Sequence, residues 1–560
     1  MDSRSDKESV KAIPAPADSD LGVGETIEVK EGEKLKRDVS PHMVHVRTRV
    51  FLLVDTLSPN GKQVISLGCN IGSGLLVAMG KALHTGGPGN MVIAYALLCT
   101  CVGAVLQTLA EMTIAFPVSG NFVNYAQRWL DPSLAFAAGF AEWLGWTAVS
   151  SAEATVFTVI VNYWAKESVH EAVWLSVFMV FVIALFLLPN KYFAYYVYFA
   201  SLLKIIGLTI VIIVSIVIIA GGGPTGRVHN GEYWRTLPVF ANGFQGFSNC
   251  ALLALWAVGD QVFVGILAGE ADAPRVSMGR ATKLIPYRNA VLYMSSVVLC
   301  TLMIPMNDDR LFGGSGSAAS PFVIAMNDAG ISGVPDFFNV VIIIGIAGVA
   351  VESIYISSRV LRSMAEQELI PRFVARVDSR GRPRWSLAIT LATGTMLTYI
   401  NLSNTGAEVF TWLNSITSSS LFIVWLVVCL TSWRFRAALK VQGDPLFNEL
   451  HAWSCWAWPF PTAWLFVCSV LLLVCCIYIG LVPIGSTSVS AYSFFQYMIG
   501  AVIVVVFTAV HKAIYRTKLQ DPATADLKSG RHILTAEEVR LLDVYYRMPA
   551  WRRSLSYFRS

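Results

Sequence analysis

From about residue 63 onward, long apolar stretches alternate with short polar connectors. The pattern has neither the period-two alternation of half-buried strands nor the single stripe of a surface helix. Stretches of about 18 or more residues with few charges are long enough to cross a hydrocarbon core as helices. The stretches fall at 63–82, 89–115, 134–162, 171–188, 194–220, 243–266, 287–305, 336–358, 386–402, 407–431, 460–482 and 492–511, which predicts twelve spans and an all-α polytopic membrane protein. The pattern is weakest at 243–266, where glycine and polar residues dilute it, and at the short ninth stretch.

The flanks read differently. Residues 1–50 are polar, mixed in charge and without the apolar core of a cleavable leader, so the first stretch should act as its own signal. With "KEGEKLKRDVSPH" rich in charge and poor in aromatics, this N-terminal tail is expected to be disordered. Residues 51–520 then form the membrane domain and 521–560 a C-terminal tail. In that tail, "LTAEEVRLLDVYYRMP" offers Thr535 as an N-cap with Glu538 three positions on, followed by apolar residues at helical spacing. A short amphipathic helix is expected there, either lying on the surface or docking trafficking or ubiquitination machinery.

Composition sharpens the class. Hydrophobic residues make up 55% of the chain and charged ones 14%, and the mean hydropathy is +0.57. One set of connectors holds sixteen Lys and Arg and the opposite set five. Because an even number of spans puts both ends on one side, this asymmetry places both termini in the cytoplasm. The net charge of +5 follows from the same bias and carries no sign of a nucleic-acid partner. Among the ten cysteines there is no CxxC pair. With no metal-ligand cluster, no nucleotide-binding loop and no extended soluble domain, neither a metal, a cofactor nor an enzyme is expected.

The candidate chemistry lies where two spans weaken themselves. The first reads "SLGCNIGSGLLVAMGK", with Gly68, Gly72 and Gly74; the sixth reads "ALWAVGDQVFVGILAGEADAPR", with Gly259, Gly265 and Gly269. Glycine costs about 1 kcal/mol relative to alanine inside a helix, and in lipid every freed backbone group needs a partner. Breaks at matching places in two halves point to a transport site. The two spans lie five apart, an odd number, so the repeat must be inverted: five plus five, then two additional helices. A break exposes N–H groups suited to an anion and carbonyls suited to a cation. An amino acid carries both charges on one carbon. Close helix packing through Gly68 and Gly72 is the alternative reading of the first break.

At these residues the chain resembles the fungal amino-acid permeases of the amino acid–polyamine–organocation superfamily. The likeness runs through "ISLGCNIGSGLLVAMGKALHTGGPG", "AEMTIAFPVSGNFVNYAQRWLDPSLAFAAGFAEWLGW", "GILAGEADAPR", "SPFVIAMNDAGI", "SSRVLRSMAEQELIPRF" and "SWRFRAALKVQG", from about residue 41 to 520. The resemblance implies a LeuT-like fold, a plasma-membrane location and secondary active uptake of amino acids with protons by alternating access. It implies that Ile71, Gly72, Ser73 and Gly74 hold the substrate carboxylate, with Gly68 and Cys69 offering carbonyls to the ammonium. It also implies that Trp256, Ala257, Val258 and Gly259 line and close over the substrate. Lys204, in "ASLLKIIGL", matches a fifth-span lysine that stands in for the sodium of related carriers. Three departures bear on substrate identity: Gly259-Asp260-Gln261-Val262 after the span-six aromatic, Val351-Glu352 in the eighth span, and "FAYYVYF" ahead of Lys204. They keep open a permease for a related amine or biogenic zwitterion, and a non-transporting sensor is a further alternative.

The intramembrane ionisable residues are Glu111, Glu142, Glu153, Lys204, Asp260 and Glu352. Such groups are costly in a bilayer and are functional candidates. Lys204 is either a proton-coupling group or a fixed structural cation. Glu352 pairs either with Lys204, as the fold analogy suggests, or with Arg359 or Arg362. Asp260 reads as a counter-ion for a substrate ammonium or as a helix-end cap. Glu153 matches an acidic family position lining the substrate cavity or a proton path, and Glu111 reads as a structural hydrogen-bonder.

Overall fold

The computed structural model describes residues 68, 71–118, 120–166, 168–188, 190–258, 262, 265, 274–311, 320–378, 382–403, 406–485 and 488–549. The expected disordered tail at 1–50 lies outside them. The described residues form an all-helical structure. Among the described residues, seven helices are long and apolar enough to cross a membrane, which makes the chain a multi-pass membrane protein.

The first begins as a π-helical turn, Gly74–Ala78, and continues as α1, Met79–Ala115. Inside α1, Gly87 takes φ +74° and ψ 172° and Pro88 follows, so two helices meet there. The boundary between the expected first two stretches is therefore a glycine in a backbone region that side chains avoid. After α2, Asn121–Trp129, comes α3, Pro132–Ala165. Asp131 caps α3 by accepting from the Ser133 N–H at 2.8 Å, and Pro132 fills the first turn, where no N–H is needed.

The chain continues through α4, Glu171–Leu187, α5, Asn190–Ile219, α6, Glu232–Thr236, α7, Gly243–Val258, and α8, Pro274–Met303. Next come α9, Pro321–Asp328, α10, Val334–Glu366, α11, Arg384–Tyr399, and α12, Gly406–Gln442. Then follow α13, Phe460–Leu481, α14, Ala491–Tyr515, and α15, Ala536–Arg547. Every expected apolar stretch has a helix on it. Helix α4 falls short of a full crossing length, and α7 is described to Val258, most of the remainder of the expected stretch to 266 lying outside the described residues.

Burial sorts these helices. The most apolar windows of α3, α10 and α12 are each 78% buried, against 33% for α5 and 22% for α14. The centre is thus α3 packed against α10 and α12, with α7 against α1. Small residues allow that closeness: Gly139 of α3 sits on the Met364 side chain and Gly145 on Thr417. Outward-facing Ile213, Ile216, Val505 and Ile514 cover the peripheral helices.

Candidate functional site

A cavity of about 630 Å³, counting its mouth, opens between the start of the first helix, the end of α7 and the faces of α3, α10 and α12. The local backbone accounts for its position. Ile71 and Gly72 are not helical, and the Ile71 N–H bonds back to the Gly68 carbonyl at 3.1 Å. The Leu76 N–H then reaches the Gly72 carbonyl at 3.1 Å as the π-helical turn begins. A Cβ on Gly74 would lie 2.5 Å from the Cα of Ala257 and 2.9 Å from its nitrogen. Only glycine lets the two backbones come this close.

One hydrogen-bond chain crosses the site. The indole N–H of Trp256 donates to Ser73 Oγ at 3.4 Å, and that hydroxyl donates to Glu153 Oε1 at 2.8 Å. The second carboxylate oxygen of Glu153 has no hydrogen-bond partner among the described residues, and the residue is 2% exposed. Gly72 leaves room beside that carboxylate, because a Cβ there would stand 3.3 Å from Oε1 and 3.0 Å from Val349. An ionisable oxygen facing a cavity without a protein donor is suited to a ligand's N–H or ammonium.

Most of the expected site residues meet here. Gly72, Gly74, Glu153, Trp256 and Ala257 line the cavity, and Ser73 joins two of them. Ile71 and Val258 are buried beside it, and Gly68 sits away from the cavity against Ser201 of α5. Cys69, Gly259 and Asp260 lie outside the described residues. Among the described residues, no group of His, Cys, Asp or Glu side chains is arranged to hold a metal.

Lys204, 1% exposed, lies along α10, its stem against Gly345 and its ammonium near Gly348. Glu352, 7% exposed, is one turn further along the same helix. The ammonium has no hydrogen-bond partner among the described residues, so the expected Lys204–Glu352 pair is not a closed contact in this conformation. The alternative partner Arg362 turns to Glu366 at 2.6 Å. Glu111 is a structural anchor: Arg436 Nε reaches its Oε2 at 3.0 Å, and the Cys455 N–H reaches its Oε1 at 2.8 Å.

Sequence reasoning passed over Trp146 and Val149 of α3, Val349 of α10, and Thr417 and Leu421 of α12, all of which line the cavity. A signal for the first two was present. Glu142, Trp146, Val149 and Glu153 recur at i, i+4, i+7 and i+11, which is one face of a helix.

The family model described as Amino acid permease matches residues 61–523. The amino-acid permease GAP5 of Candida albicans is 36% identical over 453 residues, which covers 80% of this chain and 72% of that protein. The general amino-acid permease GAP1 of Saccharomyces cerevisiae is 33% identical over 483 residues, covering 84% and 79%. The histidine permease of the same yeast is 30% identical over 553 residues, covering 95% and 89%.

Proposed function

Since the chain belongs to the amino acid permease family and is a transporter, not an enzyme, we propose that its cavity carries amino acids across the plasma membrane by alternating access with proton symport. The observation that carries this reading is the Trp256–Ser73–Glu153 chain at the non-helical entry to the first helix. In this reading the amides of Ile71, Gly72, Ser73 and Gly74 meet the substrate carboxylate. Glu153 and the carbonyls of Gly68 and Cys69 meet its ammonium, while Trp256, Ala257, Val258 and Gly259 close the site and Asp260 borders it.

The architecture we propose is a LeuT-like five-plus-five inverted repeat with two additional helices. Twelve spans then lie within residues 51–520, and the tails at 1–50 and 521–560 are cytoplasmic. A helix on every expected stretch supports it, as does the Lys and Arg asymmetry. Lys204 and Glu352 are the proton-coupling groups: both are buried near one turn of α10, where a pair can form in one state and open in another.

The test is uptake of radiolabelled amino acids in cells lacking their own permeases, with surface abundance measured in parallel. Ser73→Ala and Glu153→Gln should each lower uptake at least about tenfold, the value of one charge-assisted hydrogen bond. Lys204→Met and Glu352→Gln should abolish the dependence on external pH. If the wild type accumulates no amino acid, the carrier reading falls. If both Lys204→Met and Glu352→Gln keep normal pH dependence, the coupling assignment falls.

A further inference from the structure

We infer that the tail from Gln520 to Arg547 is a latch: it joins two helix groups across the seam that holds the cavity, and it releases one of them when the cavity opens at that end. The inference goes beyond the carrier reading and rests on its alternating access.

Packing defines the two groups. Helix α1 lies chiefly against α7 and α8, and α3 chiefly against α10 and α12, with thinner contact between the two sets. The cavity sits on the seam between them. Gly74 and Trp256 line it from the first helix and α7, while Glu153, Val349 and Thr417 line it from α3, α10 and α12. Close-packed groups move as bodies rather than deform, so opening a cavity on a seam means parting its two sides.

The tail grips both sides, unequally. On the α3–α12 side, the Gln520 N–H reaches the Leu130 carbonyl at 2.8 Å, shortly before α3. The Gln442 amide at the end of α12 donates to the carbonyls of Pro522 and Ala525 at 2.9 and 2.7 Å. Arg531 pairs with Asp444, two residues beyond α12, at 2.9 Å. On the α1–α8 side, the His532 N–H reaches the carbonyl of Ala115, the last residue of α1, at 2.8 Å. Arg275, in the first turn of α8, donates from Nη2 to the Tyr546 hydroxyl at 3.0 Å. That arginine is 5% exposed, and its Nε also reaches the His451 carbonyl, between α12 and α13, at 2.8 Å. The Glu111–Arg436 pair crosses the same seam from α1 to α12.

Among the described residues the bonding is denser on the α3–α12 side, so the tail travels with that group. The grips on Ala115 and Arg275 are the ones that part. A hydrogen bond does not survive a separation of a few ångström, so the latch is closed in this conformation and open whenever the seam is.

The experiment fixes the latch shut. Ala115→Cys with His532→Cys puts two thiols where the backbones stand one hydrogen bond apart. Asp444→Cys with Arg531→Cys is the control, since both positions lie on the α3–α12 side. Each pair is joined with a short bifunctional methanethiosulfonate, and uptake of a radiolabelled mixture of the standard amino acids is measured in cells lacking their own permeases. Uptake should fall in proportion to the cross-linked fraction of the first pair, return with reductant, and stay unchanged when the second pair is joined. In the unaltered chain in liposomes, hydrogen exchange at the His532 amide should quicken when the same mixture is present on both sides, while exchange at the Gln520 amide should not. Full uptake with the first pair joined, loss of uptake with the second, or exchange that responds alike at both amides overturns the latch and leaves the carrier reading standing. If the double variants do not reach the surface, the exchange comparison decides alone. If wild-type cells accumulate no label, the carrier reading falls and the latch with it.

Discussion

At Gly74 the missing side chain is the function. The backbone of Ala257 fills the space a Cβ would need, at 2.5 Å from its Cα, and backbone cannot rotate aside as a side chain can. Gly74→Ala should therefore push the end of α7 away from the first helix and widen the distance that the Trp256–Ser73 hydrogen bond spans. Uptake should fall at least about tenfold, with a smaller change in thermal midpoint, because the disturbance is local to a cavity rather than to the packed centre. Uptake at the wild-type level in Gly74→Ala would show that the close approach is not needed for transport. Gly72, Ser73, Gly74 and Trp256 stood out in the sequence because glycine and polar residues are anomalous inside an apolar run. Trp146 and Thr417 did not, because an aromatic and a threonine are ordinary in a buried helix. Which buried face borders a cavity is settled by neighbours, and those come from distant segments.

Among elements, the joint between the first two stretches is the clearest case of sequence dictating form. "TGGPG" offers both a glycine for an unusual backbone angle and a proline to restart a helix. The structure uses Gly87 at φ +74° for the turn, with the Pro238 carbonyl 2.9 Å from where a Cβ would stand. Gly87→Ala thus meets both backbone strain and a backbone clash, and should destabilise the protein by about 2–3 kcal/mol. A lowered thermal midpoint of the detergent-solubilised variant checks it, and an unchanged midpoint would contradict it. The capping box at Thr535 was equally legible, since it needs two residues three apart, and both of its bonds are formed. The π-helical turn at Gly74–Ala78 was not. Glycines announce a weak helix, but whether the ladder slips by one residue depends on what packs against it.

On the scale of the whole molecule, the segment after α14 is bound to the ends of several helices rather than hanging from one. The Gln520 N–H reaches the Leu130 carbonyl at 2.8 Å, and the His532 N–H reaches that of Ala115 at 2.8 Å. Arg531 joins Asp444 at 2.9 Å and Glu449 at 2.6 Å, and His451 meets Asp543 of α15 at 2.9 Å. At the centre of this strap, Arg128 pairs with Asp526 at 3.0 Å and Trp129 donates to the Asp526 carbonyl at 2.9 Å. Burial works against ionisation of the Asp526 carboxyl, but the amides of Ser529 and Lys528, with Arg128 beyond them, hold it at about 2, below its ordinary 3.8. A carboxyl with a depressed folded value stabilises the docked tail fully above the unfolded value and loses that contribution as pH falls through the folded one. Tail opening, read by amide exchange corrected for intrinsic rate, should be flat from about pH 7 to 5 and rise from about 4 down to 2. In Asp526→Asn the tail should already be looser at neutral pH and the acid step should shrink. An acid step of wild-type size in that variant would assign it to another group.

Taken by itself, the chain determined a multi-pass helical membrane protein, the place of each apolar stretch, the Gly87 joint and the C-terminal cap. These rest on length, hydropathy and local backbone chemistry, which act over a few neighbouring residues. It also marked Gly72, Ser73, Gly74, Glu153 and Trp256 as anomalies in an apolar setting. Tertiary structure alone decided that Ser73 bonds Glu153, eighty positions away, that Glu142 shares their cavity, and that Lys204 lies along α10 without closing on Glu352. Those outcomes depend on how α3, α10 and α12 pack. Packing is set by shape complementarity between segments far apart in the chain, which no local pattern encodes.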